Sequence, residues 1–95
     1  MNKKQIKGVL SEHLVICDLL KKGFWVFSPH HRQCPVDLIA ISEKGTIKLF
    51  DVKTKSIRQS GKQKNDYIRR TLSLFQKKLK VQLVYVDDKG KIVYA

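Results

Sequence analysis

The stretch Pro35-Val36-Asp37-Leu38-Ile39-Ala40-Ile41, then Ser42-Glu43-Lys44-Gly45, then Thr46-Ile47-Lys48-Leu49-Phe50-Asp51-Val52-Lys53 decides how this chain folds. Val36 to Ile41 is apolar on both faces apart from Asp37, which suits a central strand. Glu43-Lys44-Gly45 has turn chemistry, so Thr46 to Lys53 returns as an antiparallel partner. With a three-residue turn Ser42 pairs with Thr46, and counting outward places Asp37 across from Asp51. Opposed residues of an antiparallel pair project from one face, roughly 5 Å apart. An ionised aspartate among Ile and Phe is costly to bury without a partner, and two such carboxylates repel unless a cation lies between them. Oxygen donors at that spacing suit Mg²⁺, with waters and a substrate phosphate completing its octahedron. Lys53, two residues beyond Asp51, projects on the same side of its strand.

Outward from this hairpin, Lys3 to Lys22 reads as an amphipathic helix whose apolar stripe is Ile6, Val9, Leu10, Ile16, Cys17 and Leu20. His13 lies at the centre of that stripe as a core or interface histidine, and Gly23 is the stop signal. Glu12 lies at the edge of the stripe, where it looks along the core boundary and can add a third carboxylate to the pair. Phe24 to Phe27 is a short strand with Trp25 expected in the core. Ser56 to Asn65 is a basic loop. Asn65 or Asp66 caps a second helix with the stripe Ile68, Leu72, Phe75 and Leu79. Val81 to Val86 is a strand, Asp87 to Gly90 a turn, and Lys91 to Tyr94 a last short strand. The order is α-β-β-β-α-β-β, an α/β fold with a mixed β-sheet flanked by two helices.

The chain has 95 residues, 42% of them hydrophobic and 29% charged. One globular domain spanning 1–95 is expected, with a core thin enough that an oligomer would be unsurprising. Twenty Lys and Arg against eight Asp and Glu give a net charge of +12, which calls for a polyanionic partner, and a nucleic acid is the obvious one. No apolar run is long enough for a membrane span and no signal segment precedes the first helix, so a soluble, cytoplasmic protein without membrane contact is expected. Cys17 and Cys34 form no CxxC pair and read as free thiols. His30, His31 and Cys34 lack a fourth ligand at useful spacing, which argues against a zinc site.

Gly8-x-x-x-Glu12, Gly23-Phe24-Trp25-Val26-Phe27, Pro35-Val36-Asp37-Leu38-Ile39-Ala40 and Asp51-Val52-Lys53-Thr54, in this order, resemble the PD-(D/E)XK nuclease superfamily. Within it the chain is most similar to archaeal-type Holliday junction resolvases and intron-associated endonucleases. The resemblance implies a restriction-endonuclease-like fold, DNA cleavage that depends on Mg²⁺ with Mn²⁺ as a substitute, and a homodimer. It also implies roles: Asp37, Asp51 and the Val52 carbonyl as metal ligands, Lys53 as catalytic lysine, and Glu12 as the helix-borne acid of the metal site. Val36 separates Pro35 from Asp37, and Asp51 stands where Glu or Gln is commoner.

The expected activity is phosphodiester hydrolysis in duplex or branched DNA. A homodimeric Holliday junction resolvase is the narrower alternative, and a catalytically silent DNA-binding module is the alternative from another class. After Lys53 there are eleven Lys or Arg and three acids. Lys55, Arg58, Lys62, Lys64, Arg69 and Arg70, with Arg32 in the loop before the site, are the expected phosphate contacts. No residue set resembles a base-reading code, which favours recognition of shape over sequence.

Overall fold

The computed structural model describes residues 2–31, 34–54 and 72–95. Helix α1 (Lys3–Lys21) is followed by β1 (Trp25–Phe27), β2 (Leu38–Ile41), β3 (Ile47–Thr54), α2 (Leu74–Lys78), β4 (Val81–Val86) and β5 (Ile92–Tyr94). This is the α-β-β-β-α-β-β order read from the sequence. The five strands form one sheet in the order β1-β2-β3-β4-β5. Its pairs are antiparallel except β3 with β4, which run parallel, so the sheet is mixed.

The central hairpin closes as its residues require. Ser42 N–H donates to the Thr46 carbonyl at 2.9 Å and Gly45 N–H to the Ser42 carbonyl at 2.9 Å. Gly45 takes φ +87°, a left-handed conformation that costs glycine nothing and other residues a steric penalty. The register places Leu38 opposite Phe50 and Ile41 opposite Ile47, the register that the three-residue turn predicts.

Alternation along β3 divides its side chains between two faces. Phe50 joins Leu38, Ala40, Val84 and Val86 in the core against Val15 and Leu19 of α1, while Asp51 and Lys53 point to the other face. The core is thin, as a chain of this size dictates.

Helix α1 turns a different face to the sheet from the one its apolar stripe suggests. Ser11, Val15 and Leu19 are its buried residues. Ile6, Val9, Leu10 and Leu20 are exposed, as are His13 and Cys17; of the expected stripe only Ile16 packs against the core. The reason is long-range. Ser11 Oγ and Thr54 Oγ1 share a hydrogen bond of 2.8 Å, and Tyr94 O–H donates to Asp18 Oδ2 at 2.6 Å. These polar groups flank Val15 and Leu19 and set the helix rotation. Tyr94 also packs edge-on against Phe50 and lies under the Lys22 ammonium, 4.4 Å from its ring centroid. Its hydroxyl holds the Asp18 carboxyl below the usual range, and burial beside Asp18 pushes the Tyr94 hydroxyl well above its own.

Two further expectations are corrected. The described second helix begins at Leu74 and is capped by Ser73, so no helix continuous from Asn65 or Asp66 reaches it; Asn65, Asp66 and Ile68 lie outside the described residues. Phe75 and Leu79, expected in its buried stripe, are exposed. Trp25, expected in the core, is 59% exposed, because β1 edges the sheet and presents Trp25 to the face away from α1.

Tyr94→Phe removes the hydrogen bond to a charged carboxylate while keeping the ring. It should lower unfolding stability by about 1.5–3 kcal/mol in urea denaturation; an unmoved midpoint would mean that this contact does not fix α1.

Candidate active site

Strand β2 begins at Leu38, whereas β3 continues to Thr54. The Val52 amide therefore faces an edge where β2 offers no strand carbonyl, and a buried N–H without a partner is costly. Asp37 supplies the acceptor: its Oδ2 receives the Val52 N–H at 2.8 Å, and its own amide donates to the Phe50 carbonyl at 2.8 Å. In an extended strand a residue's N–H and C=O lie on the same edge, so the Val52 carbonyl is on the Asp37 side of β3.

The Asp37 carboxyl lies in hydrogen-bonding contact with that of Asp51, the juxtaposition that the hairpin count predicts. Burial is the largest cause that pushes Asp37 up, to about 6, followed by the hydrogen bond with Asp51; the Val52 amide pulls the other way, and the charges of Asp51 and Glu12 add to the rise. Asp51 is only 7% exposed. Its Oδ1 pairs with Lys53 Nζ at 3.3 Å, and its Oδ2 accepts from Gln76 Nε2 at 3.1 Å.

Gln76 is the residue that sequence reasoning missed. Its Oε1 accepts the Ser73 N–H at 2.9 Å and Ser73 Oγ accepts the Gln76 N–H at 3.1 Å, a reciprocal cap. Its Nε2 then donates to both the Pro35 carbonyl, at 2.8 Å, and Asp51. The Ser-x-x-Gln spacing of a capping box was legible at Ser73. Its reach to Asp51, 25 residues away in sequence, was not.

Glu12 approaches from α1. Its carboxyl is raised by burial, lowered by His13 and raised again by the Asp51 charge. Glu12 and Asp37 both line a cleft of about 490 Å³, together with Gly8, Val9, Ser28 and Cys34 among others. A Cβ added to Gly8 would meet no atom within 4 Å, so this glycine leaves space in the cleft that no packing contact requires.

Asp37, Asp51, Val52 and Lys53 are thus gathered at one end of β2 and β3, and Glu12 faces Asp37 across the cleft from α1. Among the described residues, no three His, Cys, Asp or Glu side chains form a group that could hold a metal ion, so Glu12 does not complete a three-carboxylate group with Asp37 and Asp51. Both cysteines are free thiols. The expected phosphate contacts Arg32, Lys55, Arg58, Lys62, Lys64, Arg69 and Arg70 lie outside the described residues. No described helix is long and apolar enough to cross a membrane.

Because the folded protein holds the Asp37 proton more tightly than the unfolded chain does, this group's contribution to stability diminishes as pH rises from about 4 to about 6 and is flat above. Asn at position 37 keeps an acceptor for Val52 and supplies a permanent donor toward Asp51. In metal-free buffer Asp37→Asn should raise Tm by a few degrees at about pH 8 and leave it nearly unchanged at about pH 4, where Asp37 already carries its proton. Equal effects at both pH values would show that the two carboxyls do not repel.

No protein-family model matches the sequence, and no curated protein does. A solved structure is similar over nearly the whole chain: the bacterial homing endonuclease I-Ssp6803I, with TM-score 0.73 and 15% sequence identity, covering 99% of this chain and 69% of that one. At that identity the likeness is one of fold, and the mixed five-stranded sheet flanked by two helices is an architecture this chain shares with a bacterial homing endonuclease.

Proposed function

We propose that this chain is a metal-dependent endodeoxyribonuclease of the PD-(D/E)XK type, acting on duplex or branched DNA. The observation that carries the proposal is the buried Asp51 carboxylate, held between Lys53 and Gln76 with the Asp37 carboxyl against it, in a chain of net charge +12. Two carboxyls that crowd each other on a cationic protein fit a site for a divalent cation. The likeness in fold to a homing endonuclease supports the same reading.

The donor set is hard and oxygen-based: the Asp37 and Asp51 carboxylates and the Val52 carbonyl. It suits Mg²⁺, or Mn²⁺ in its place, because Mg²⁺ keeps several waters and needs few protein ligands. When bound, the ion supplies Lewis-acid stabilisation of the scissile phosphate and lowers the pKa of a coordinated water. The chain's own groups do the rest. Lys53 Nζ, on the same face as Asp51, orients the attacking water and offsets charge that develops on the phosphate. Glu12, its carboxyl raised by burial, takes the water's proton from the cleft side. The water oxygen forms its bond to phosphorus as the bond to the leaving sugar oxygen breaks, and that oxygen is protonated by solvent.

The test is cleavage of a four-way junction, a linear duplex and a single strand, each with Mg²⁺ and with EDTA. Wild type should cut a duplex or branched substrate only with the metal. Asp51→Asn should abolish cleavage and retain DNA binding, and Lys53→Ala should slow cleavage by at least about 10²-fold without unfolding. Cutting restricted to the junction narrows the enzyme to a resolvase. Tight binding without cleavage on any substrate would replace the enzyme with a silent DNA-binding module.

A glycine inside a helix costs about 0.5–1 kcal/mol relative to alanine, so Gly8→Ala should stabilise the fold by about that amount. If the open space at Gly8 is where the DNA backbone passes, the same variant should raise KM several-fold with kcat little changed. An unchanged KM would remove the backbone from this cleft.

A further inference from the structure

We infer that Trp25 and Phe27 form a stacking platform for unpaired bases, on the same sheet face as Asp51 and Lys53. Phe24 and Val26 pack against the core under α1. Alternation along the strand therefore sends Trp25 and Phe27 to the opposite face, two residues apart on β1. Trp25 is 59% exposed and Phe27 53%. Among the described residues, neither ring meets another ring or a cation. Two neighbouring aromatic side chains held open to water on an edge strand mark a binding surface, because aromatic area is what contact sites spend most of their energy on.

The sheet register fixes where these rings stand relative to the site. Trp25 pairs with Ile41 and Ile41 with Ile47; Phe27 pairs with Ile39 and Ile39 with Leu49. Paired residues share a face, so an aliphatic row runs from each ring to β3, where Asp51 and Lys53 follow Leu49 on that same face. Two strand spacings across and two residues along put the Phe27 backbone about 12 Å from that of Asp51, and the Trp25 backbone about 16 Å from it. That distance is roughly three to five nucleotides of a stacked strand, and fewer of an extended one. Strand β1 also leads directly into the cleft: Ser28 and Pro29, the residues after Phe27, line it together with Glu12 and Asp37.

Charge and ring chemistry together name the occupant. A single nucleic-acid strand is held by cations along its phosphates and by aromatic faces under its bases. The chain supplies the first with its net charge of +12 and the second with Trp25 and Phe27. An acidic protein would answer the charge and leave the rings unexplained, whereas a polynucleotide answers both. Bases inside an intact duplex are stacked on one another and show no face to a side chain, so only bases already unpaired or extruded reach a ring. Ile41 and Ile47 beside Trp25 give such a base a second apolar contact. The inference rests on the nuclease reading for its DNA and deepens it: the strand that is cut carries unpaired bases a few nucleotides from the scissile phosphate.

Trp25 is the single tryptophan of the chain, so its fluorescence reports on the platform directly. In EDTA, oligothymidylate should quench the emission of wild type. An abasic strand of equal length, which carries the charge without the bases, and a duplex with closed ends should leave it nearly unchanged. Trp25→Ala and Phe27→Ala should each weaken oligothymidylate binding by about five- to a hundredfold. Neither should alter the slope of log K against log salt, closed-duplex binding or the circular dichroism, and Trp25→Phe should restore most of the affinity. Equal quenching by the abasic strand, no quenching by oligothymidylate, or full affinity in both alanine variants would overturn the platform. So would an emission shift on concentrating the protein without DNA, which would assign this face to a protein contact. If the alanine variants do not fold, the quenching comparison on wild type decides. Quenching by oligothymidylate in a protein that cuts no substrate with Mg²⁺ would overturn only the nuclease reading.

Discussion

The hydrogen bond from the Val52 amide to the Asp37 carboxylate holds the functional end of this molecule together. Strand β3 outruns β2, and an amide at that overhang needs an acceptor that the β2 backbone does not provide. One side chain completes the sheet edge and, in doing so, is fixed against Asp51. The sheet thus gains a satisfied amide at the cost of two crowded carboxyls. Removing the Asp37 oxygen would leave a structural amide unpaired, and removing the crowding calls for a cation or a proton. The fold and the proposed chemistry share this one contact.

Asp51 is held from three sides, and each hold comes from a different part of the chain. Lys53 is its neighbour along the strand, Asp37 its neighbour across the hairpin, and Gln76 reaches it from the N-terminal end of α2. The double duty of Gln76, capping its own helix while donating to Asp51, ties the position of that short helix to the orientation of a single carboxylate. A site built on such ties is pre-organised, because the rotamers of its members are fixed by bonds that exist without substrate.

Helix α1 works through its two sides. The side facing the sheet is pinned by the Ser11–Thr54 and Asp18–Tyr94 hydrogen bonds, which sit beside the apolar contacts of Val15 and Leu19 and fix the helix about its axis. That rotation brings Glu12 and Gly8 to the cleft. It also turns the more continuous apolar stripe, from Ile6 to Leu20, away from the core. A small domain has too little interior to bury both sides of one helix.

The sequence by itself determined the period-2 strands, the glycine turn at Gly45, the register that brings Asp37 to Asp51, the placing of Lys53 beside Asp51, and the surplus of positive charge. Apart from the charge, which is a sum over the whole chain, these depend on residues within some twenty positions of one another, where strand alternation and turn length leave little freedom. Only the tertiary structure decided which side of α1 is inside, where the second helix starts, and that Gln76 holds Asp51. The apolar periodicity of α1 is strong on the wrong side because hydrophobic pattern identifies surfaces to be buried without saying what buries them. The inward side was chosen by Thr54 and Tyr94, 43 and 76 residues from their partners on the helix, and contacts at such separation follow from packing and not from local spacing.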